Sequence, residues 1–192
     1  MHKVIYLTGA PAAGKSSTTK LLMSRATDIL VWEYGSRLTD YCKHKYPGIS
    51  SQTQIRTQSA QLITSGDIEA LDQELLAFVD KNRLENHIII DSHAVTKEES
   101  GYRITPFSLS QFAALSPDEI WVLYASPEET RRRIAENSGG RPLVTEEEAR
   151  MHTMLQASVA ATYSMSIRCP VYLFDTASPR DALVERLAER LS

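Results

Sequence analysis

Five short apolar runs divide the chain: Val4-Ile5-Tyr6-Leu7, Ile29-Leu30-Val31-Trp32, His87-Ile88-Ile89-Ile90-Asp91, Ile120-Trp121-Val122-Leu123-Tyr124 and Val171-Tyr172-Leu173-Phe174. Runs this short and this continuously apolar suit strands of a parallel sheet buried on both faces. Helical periodicity fills the intervals. Ser17 to Met23 opens one helix, and Ile55, Leu62 and Ile63 fall near one face of another. Ser65-Gly66-Asp67 marks a stop and restart, after which Ile68, Leu71, Leu75, Leu76 and Val79 repeat at helical spacing. Ser108 to Leu115 reads as a short helix, and Ser126-Pro127 starts another with proline at its tolerated first position. Thr145-Glu146-Glu147-Glu148 is a capping box opening a long helix to about Ile167, with Met151, Met154, Leu155, Val159 and Thr162 along one side. Leu183, Val184, Leu187 and Leu191 give the last helix its core face. Residues 36–50 are polar and mixed, and residues 92–107 read as a long functional loop. Strands alternating with helices predict an α/β chain, a three-layer α/β/α sandwich on a five-stranded parallel sheet. Nothing divides residues 1–192 into more than one domain.

Composition narrows the class. With 192 residues, 42% hydrophobic and 23% charged, the chain has material for one sizeable core. A net charge of −3 argues against extensive nucleic-acid binding. Cys42 and Cys169 have no metal-ligand or redox spacing and read as buried thiols in a reducing compartment. The first apolar run is too short for a signal peptide, and no run approaches membrane-spanning length, so a cytoplasmic protein without a membrane partner is expected.

The first strand leads into Gly9-Ala10-Pro11-Ala12-Ala13-Gly14-Lys15-Ser16, the G-x-x-x-x-G-K-S phosphate loop in its required setting of strand, loop and helix. The glycines let successive backbone N–H groups curl inward on phosphate oxygens. The helix that continues through Ser17 adds its positive dipole end. Lys15 is expected on the β- and γ-phosphates of ATP, and Ser16 on Mg²⁺. Asp91, at the C-terminal end of a buried strand, is placed to complete the metal site. Transfer also needs arginines that close over the γ-phosphate. Residues 131–145 carry Arg131, Arg132 and Arg133, a Gly139-Gly140 hinge and Arg141, and read as a lid. Glu128–Arg132 and Glu129–Arg133 are spaced as helix-surface pairs as well, so surface decoration is the competing reading.

Acceptor candidates lie in two stretches: Arg37 and Arg56, and Asp91, His93, Lys97, Tyr102 and Arg103. A phosphate acceptor requires arginines; a hydroxyl acceptor requires a base, which Asp91 or His93 would supply. A kinase for a hydroxyl of a small molecule or nucleic-acid end therefore stays open, as does a nucleotide-dependent switch or assembly factor with slow ATPase activity.

The phosphate loop, Tyr34-Gly35 and Asp91-Ser92-His93-Ala94-Val95 followed by Ser100-Gly101-Tyr102 together resemble the archaeal-type adenylate kinases. Leu115-Ser116-Pro117-Asp118 and Ala161-Thr162-Tyr163 extend the resemblance over nearly the whole chain. It implies a P-loop kinase fold with a helical acceptor-binding insertion (36–80) and a short lid, MgATP as donor, AMP or another nucleoside monophosphate as acceptor, and a homo-oligomer. It assigns Arg56, with Arg37, Gly35, His93 and Tyr102, to the acceptor side, Arg133 and Arg141 to the transferring phosphate, and the stretch from Asp175 to Ala177 to the edge of the adenine. The chain departs from the family where Gly139 or Gly140 replaces a lid arginine and Ala157 replaces an arginine of the long helix; Arg150 lies two turns earlier, near the same face.

Overall fold

In a computed structural model, residues 1–46, 63–136 and 142–192 are described. Arg56, Arg141 and the Gly139-Gly140 hinge of the expected lid lie outside them, as do Ile55 and Leu62 of the expected helix. Among the described residues the elements are β1 (Val4–Gly9), α1 (Lys15–Arg25), β2 (Ile29–Glu33), α2 (Tyr34–Lys45), α3 (Ser65–Asn82), β3 (His87–Asp91), β4 (Val95–Glu98), β5 (Gly101–Ile104), α4 (Leu109–Leu115), β6 (Glu119–Tyr124), α5 (Pro127–Glu136), α6 (Glu146–Ile167), β7 (Val171–Asp175) and α7 (Arg180–Leu191).

Five strands form one sheet in the order β2-β3-β1-β6-β7, and every neighbouring pair is parallel. All three isoleucines of β3 are fully buried, as a strand covered on both faces requires. Alternation along β1 sorts the two halves of the core. Val4 and Tyr6 join Leu71, Leu75, Phe112 and Tyr163 under α3, α4 and α6. Ile5 and Leu7 join Leu22, Leu183 and Leu187 under α1 and α7. Each fully buried aliphatic side chain contributes about 1.5–3 kcal/mol relative to exposure, so the sheet is the stable platform from which the loops at its C-terminal edge are hung. Cys42 and Cys169 are free and buried.

Three expectations change. Residues 34–45 are an α-helix. Only Thr39 and Cys42 of α2 are buried, so its apolar face was too thin to register as a period. The stretch 92–107 contains a two-stranded antiparallel hairpin, β4–β5, with Val95 opposite Ile104. Its four-residue strands are half-exposed and rich in charge, which hides the strand alternation. In α6 the inward face is Ala149, His152, Gln156, Ala160 and Tyr163, while Met151 and Met154 are exposed. The cause is polar. The Nε2 groups of His152 and Gln156 both donate to the Val95 carbonyl, at 3.1 and 3.2 Å, and the Thr8 hydroxyl donates to Gln156 Oε1 at 3.2 Å. Satisfying these buried groups outweighs burying flexible methionines.

Candidate functional site

The sheet order reverses at β1, between β3 and β6, where open parallel sheets hold their ligands. The loop after β1 bends as its glycines allow. Gly14 has φ 86°, and a Cβ on Gly9, at φ 155°, would lie 2.3 Å from the Leu123 carbonyl oxygen. Ala12 also takes a positive φ of 62°. Ala10 and Ala13 are buried beneath the loop, with Ala13 N–H donating to the Ala10 carbonyl at 3.1 Å. Lys15 Nζ sits 3.1 Å from the Gly9 carbonyl and 4.0 Å from Asp91 Oδ1. Asp91 faces Leu7 of β1 in register. Burial raises its pKa, Lys15 opposes the rise, and Glu33 on the adjacent strand adds to it. A cation drawn toward the loop is thus held beside a carboxylate that needs one.

Pro11 to Ser17 line one side of an open cavity of about 590 Å³. Its far wall comes from α5 and from Thr176, Ala177 and Ser178 after β7. Arg133 joins the two walls. Its Nη1 donates to the Ala12 carbonyl at 3.1 Å and to Thr176 Oγ1 at 2.9 Å, and its Nη2 donates to the Thr176 carbonyl at 2.8 Å. Thr176 is itself fixed, its N–H 2.8 Å and its Oγ1 3.0 Å from the Tyr124 carbonyl. Glu129 receives both Arg133 and Arg132, and the two guanidiniums hold its pKa down at about 2. The expected Glu129–Arg133 pair is present, while Arg132 pairs with Glu129 and Glu136 rather than Glu128. Arg131 is a surface residue; Arg132 lines the rim of this cavity with its guanidinium half-exposed and paired to Glu129 and Glu136, while Arg133 reaches across to the loop. Asp175 Oδ1 accepts from the Ala177 N–H at 2.8 Å, shaping the turn that presents Ala177 to the same cavity.

A second cavity, of about 350 Å³, opens where β3 continues past Asp91. Ser92, His93 and Ala94 form its floor, the hairpin contributes Thr96 and Arg103, and Gly35 and Leu38 come from α2. Tyr6, Tyr34 and Phe107 give it aromatic walls, with Tyr34 and Phe107 edge to face at 5.6 Å. Asp72, on α3, completes it. The Tyr34 hydroxyl donates to Asp72 Oδ1 at 2.7 Å. Burial raises the Asp72 pKa to about 6, against the pull of the tyrosine, and the charge of Glu69 adds to the rise.

Gly35 and His93, expected on the acceptor side, line this cavity. Tyr102 does not: its hydroxyl donates to the Glu148 carbonyl at 2.6 Å and its ring packs on His152, so it docks the hairpin on α6. Arg37 stacks over Trp32 at 4.6 Å, away from the lining. Ala157 packs against the core, and Arg150 is exposed beside Glu147 at 3.6 Å. Asp72 was missed, although its signal was present. It stands four residues after Ile68 and four before Leu76, an acid inside an apolar stripe. Thr176 falls inside the stretch expected at the edge of the adenine; its bonds to Arg133 were not foreseen.

A family model described as an AAA domain matches residues 8–150, the stretch that holds the phosphate loop, Asp91 and Arg133. The chain belongs to this family. It is similar to the adenylate kinase of Pyrococcus horikoshii, with 27% identity covering 86% of this chain and 82% of the relative. The adenylate kinases of Pyrococcus furiosus and Thermococcus sibiricus are 26% and 25% identical over the same shares. Its fold is that of an unliganded sugar kinase from Janibacter, with a TM-score of 0.58, 12% identity, and coverage of 98% of this chain and 94% of that one. The chain is an archaeal-type, adenylate kinase-like P-loop protein and an ATP-dependent phosphotransferase.

Proposed function

We propose that the protein is a nucleoside monophosphate kinase that moves the γ-phosphoryl of MgATP to AMP or another monophosphate. The observation that carries this reading is the pair of cavities on the two sides of one strand end. One is lined by the phosphate loop and Arg133; the other is aromatic-walled and begins at Ser92, the residue after Asp91. In this reading the donor phosphates lie against the loop amides, with Lys15 turned from Gly9 and Asp91 onto their oxygens. Arg133, already anchored across the loop, faces the charge that builds as the γ-phosphorus parts from the bridging oxygen. The acceptor's phosphate oxygen is anionic and forms the new bond without a base, and Arg56 is assigned to grip that phosphate. Ser16 and Asp91 offer hard oxygen donors beside the loop, the chemistry that Mg²⁺ takes, and would hold it. Bound there, Mg²⁺ neutralises phosphate charge.

A hydroxyl acceptor has one observation in its favour, the placement of His93 in the second cavity. Thermal shift separates the two. Diadenosine pentaphosphate spans both sites of a monophosphate kinase and is expected to raise the melting temperature well beyond ATP at equal concentration, because it gains affinity from the second cavity. Equal shifts with the two ligands, together with loss of phosphorylation of a hydroxyl substrate in His93→Ala, would replace this reading with the hydroxyl one.

A further inference from the structure

Asp72 is the carboxylate in the second cavity that the transfer of phosphate does not use. It is 3% exposed. Its one hydrogen bond among the described residues comes from Tyr34, on Oδ1, and no cation accompanies it there. A carboxylate buried without a counter-ion costs stability unless something donates to it. Asp72 lines the cavity on the side of α3, where Tyr34, Leu38, Ile68 and Phe107 supply aromatic and aliphatic wall; Ser92, His93, Thr96 and Arg103 supply polar wall from β3 and the hairpin. Aromatic and aliphatic wall beside a carboxylate fits a heteroaromatic ring that brings N–H groups, and the polar wall opposite leaves room for the rest of a nucleotide.

Resting on the monophosphate kinase reading, we propose that Asp72 is the specificity-determining residue of the acceptor site, selecting monophosphates whose base carries an exocyclic amino group. An amino group donates to the carboxylate, while a ring carbonyl in its place sets two acceptors against each other with no water to separate them. A site built around a hydrogen bond rejects an analogue that lacks the donor far more strongly than a pocket rejects a change of size. Adenine, cytosine and guanine bear such a group; uracil, thymine and hypoxanthine do not. Tyr34 is the positioning residue, fixing the carboxylate through Oδ1 so that Oδ2 faces the ring. Glu69, the other charge acting on Asp72, strengthens the need for a donor.

The test uses substrates that differ only by amino against oxo: AMP with IMP, and CMP with UMP. The wild-type protein is expected to show kcat/KM about 100-fold or more in favour of the amino member of at least one pair. In Asp72→Asn the amide carbonyl keeps the Tyr34 hydrogen bond and the NH₂ turns to the cavity, so the ratio should fall at least about tenfold, with the oxo substrate gaining in absolute terms. Tyr34→Phe retains the carboxylate but frees it to turn, so it should weaken the preference less than Asp72→Asn does while raising KM. Equal use of amino and oxo partners by the wild type overturns the proposal. So does an unchanged ratio in folded Asp72→Asn, or a preference that falls further in Tyr34→Phe than in Asp72→Asn. Each of these three results leaves the kinase reading standing if monophosphates are turned over. Absence of turnover with every monophosphate removes both.

Discussion

Lys15 holds the Gly9 carbonyl and Asp91 together in the ligand-free chain, so its charge is available to phosphates that displace those partners. Lys15→Ala is expected to lower phosphoryl transfer by about 1,000-fold or more while circular dichroism and melting stay close to wild type. Gly9 presents the opposite case. Its Cβ would meet the Leu123 carbonyl at 2.3 Å, so Gly9→Ala should cost about 2 kcal/mol or more of stability, read in a denaturant titration. Asp72 adds a pH dependence. Its folded pKa, about 6, stands above the ordinary 3.8. The folded state therefore binds that proton more tightly, and the resulting stability is complete below about pH 4 and lost as pH rises through 6. Asp72→Asn should consequently melt higher than wild type at pH 8, with the gap closing as pH falls toward 4. At this scale the sequence was legible wherever a residue's role follows from its neighbours along the chain. Lys15 and Asp91 follow from the loop and the strand end. Asp72 needed Tyr34, 38 residues earlier, to show that its carboxylate is enclosed.

Helix α5 and helix α6 carry the two cavities' supports. Arg133 reaches the loop because α5 packs its buried Thr130 and Ile134 inward and leaves Arg133 on the side facing Ala12 and Thr176. Arg133→Gln should reduce kcat about 100-fold or more, whereas Arg131→Gln, outside the cavity lining, should change it little. Helix α6 acts through the hairpin. Gln156 bridges Thr8 of β1 and Val95 of β4. Gln156→Leu leaves Val95 with His152 alone and Thr8 without that acceptor, at an expected cost of about 1–3 kcal/mol in denaturant unfolding. Ser126-Pro127 and the Thr145 capping box marked the starts of these two helices in the sequence. The inward face of α6 did not emerge, since apolar periodicity favoured the methionines, and the buried face is held by hydrogen bonds to a hairpin that no local pattern announced. Helix α2 escaped notice for a related reason, having two buried residues in twelve.

At the scale of the molecule, the reversal of strand order at β1 places the glycine loop beside the end of β3, where Lys15, which lines one cavity, lies 4.0 Å from Asp91, and the next residue, Ser92, lines the other. The donor side is bounded by the loops after β1 and β7, the other by α2, α3 and the hairpin. No helix among the described residues is long and apolar enough to cross a membrane. This architecture was readable in advance because parallel strands buried on both faces impose a simple rhythm on the chain; the two cavities were not, because they are assembled from segments far apart in sequence. The central claim is that phosphate passes from one cavity to an acceptor phosphate in the other. The most direct measurement is a coupled assay of diphosphate formation from MgATP with AMP, CMP, GMP, UMP and dTMP in turn, with Lys15→Ala as control. Turnover of at least one monophosphate that disappears in Lys15→Ala is the predicted result. No turnover with any of them, from protein that binds ATP, would contradict it.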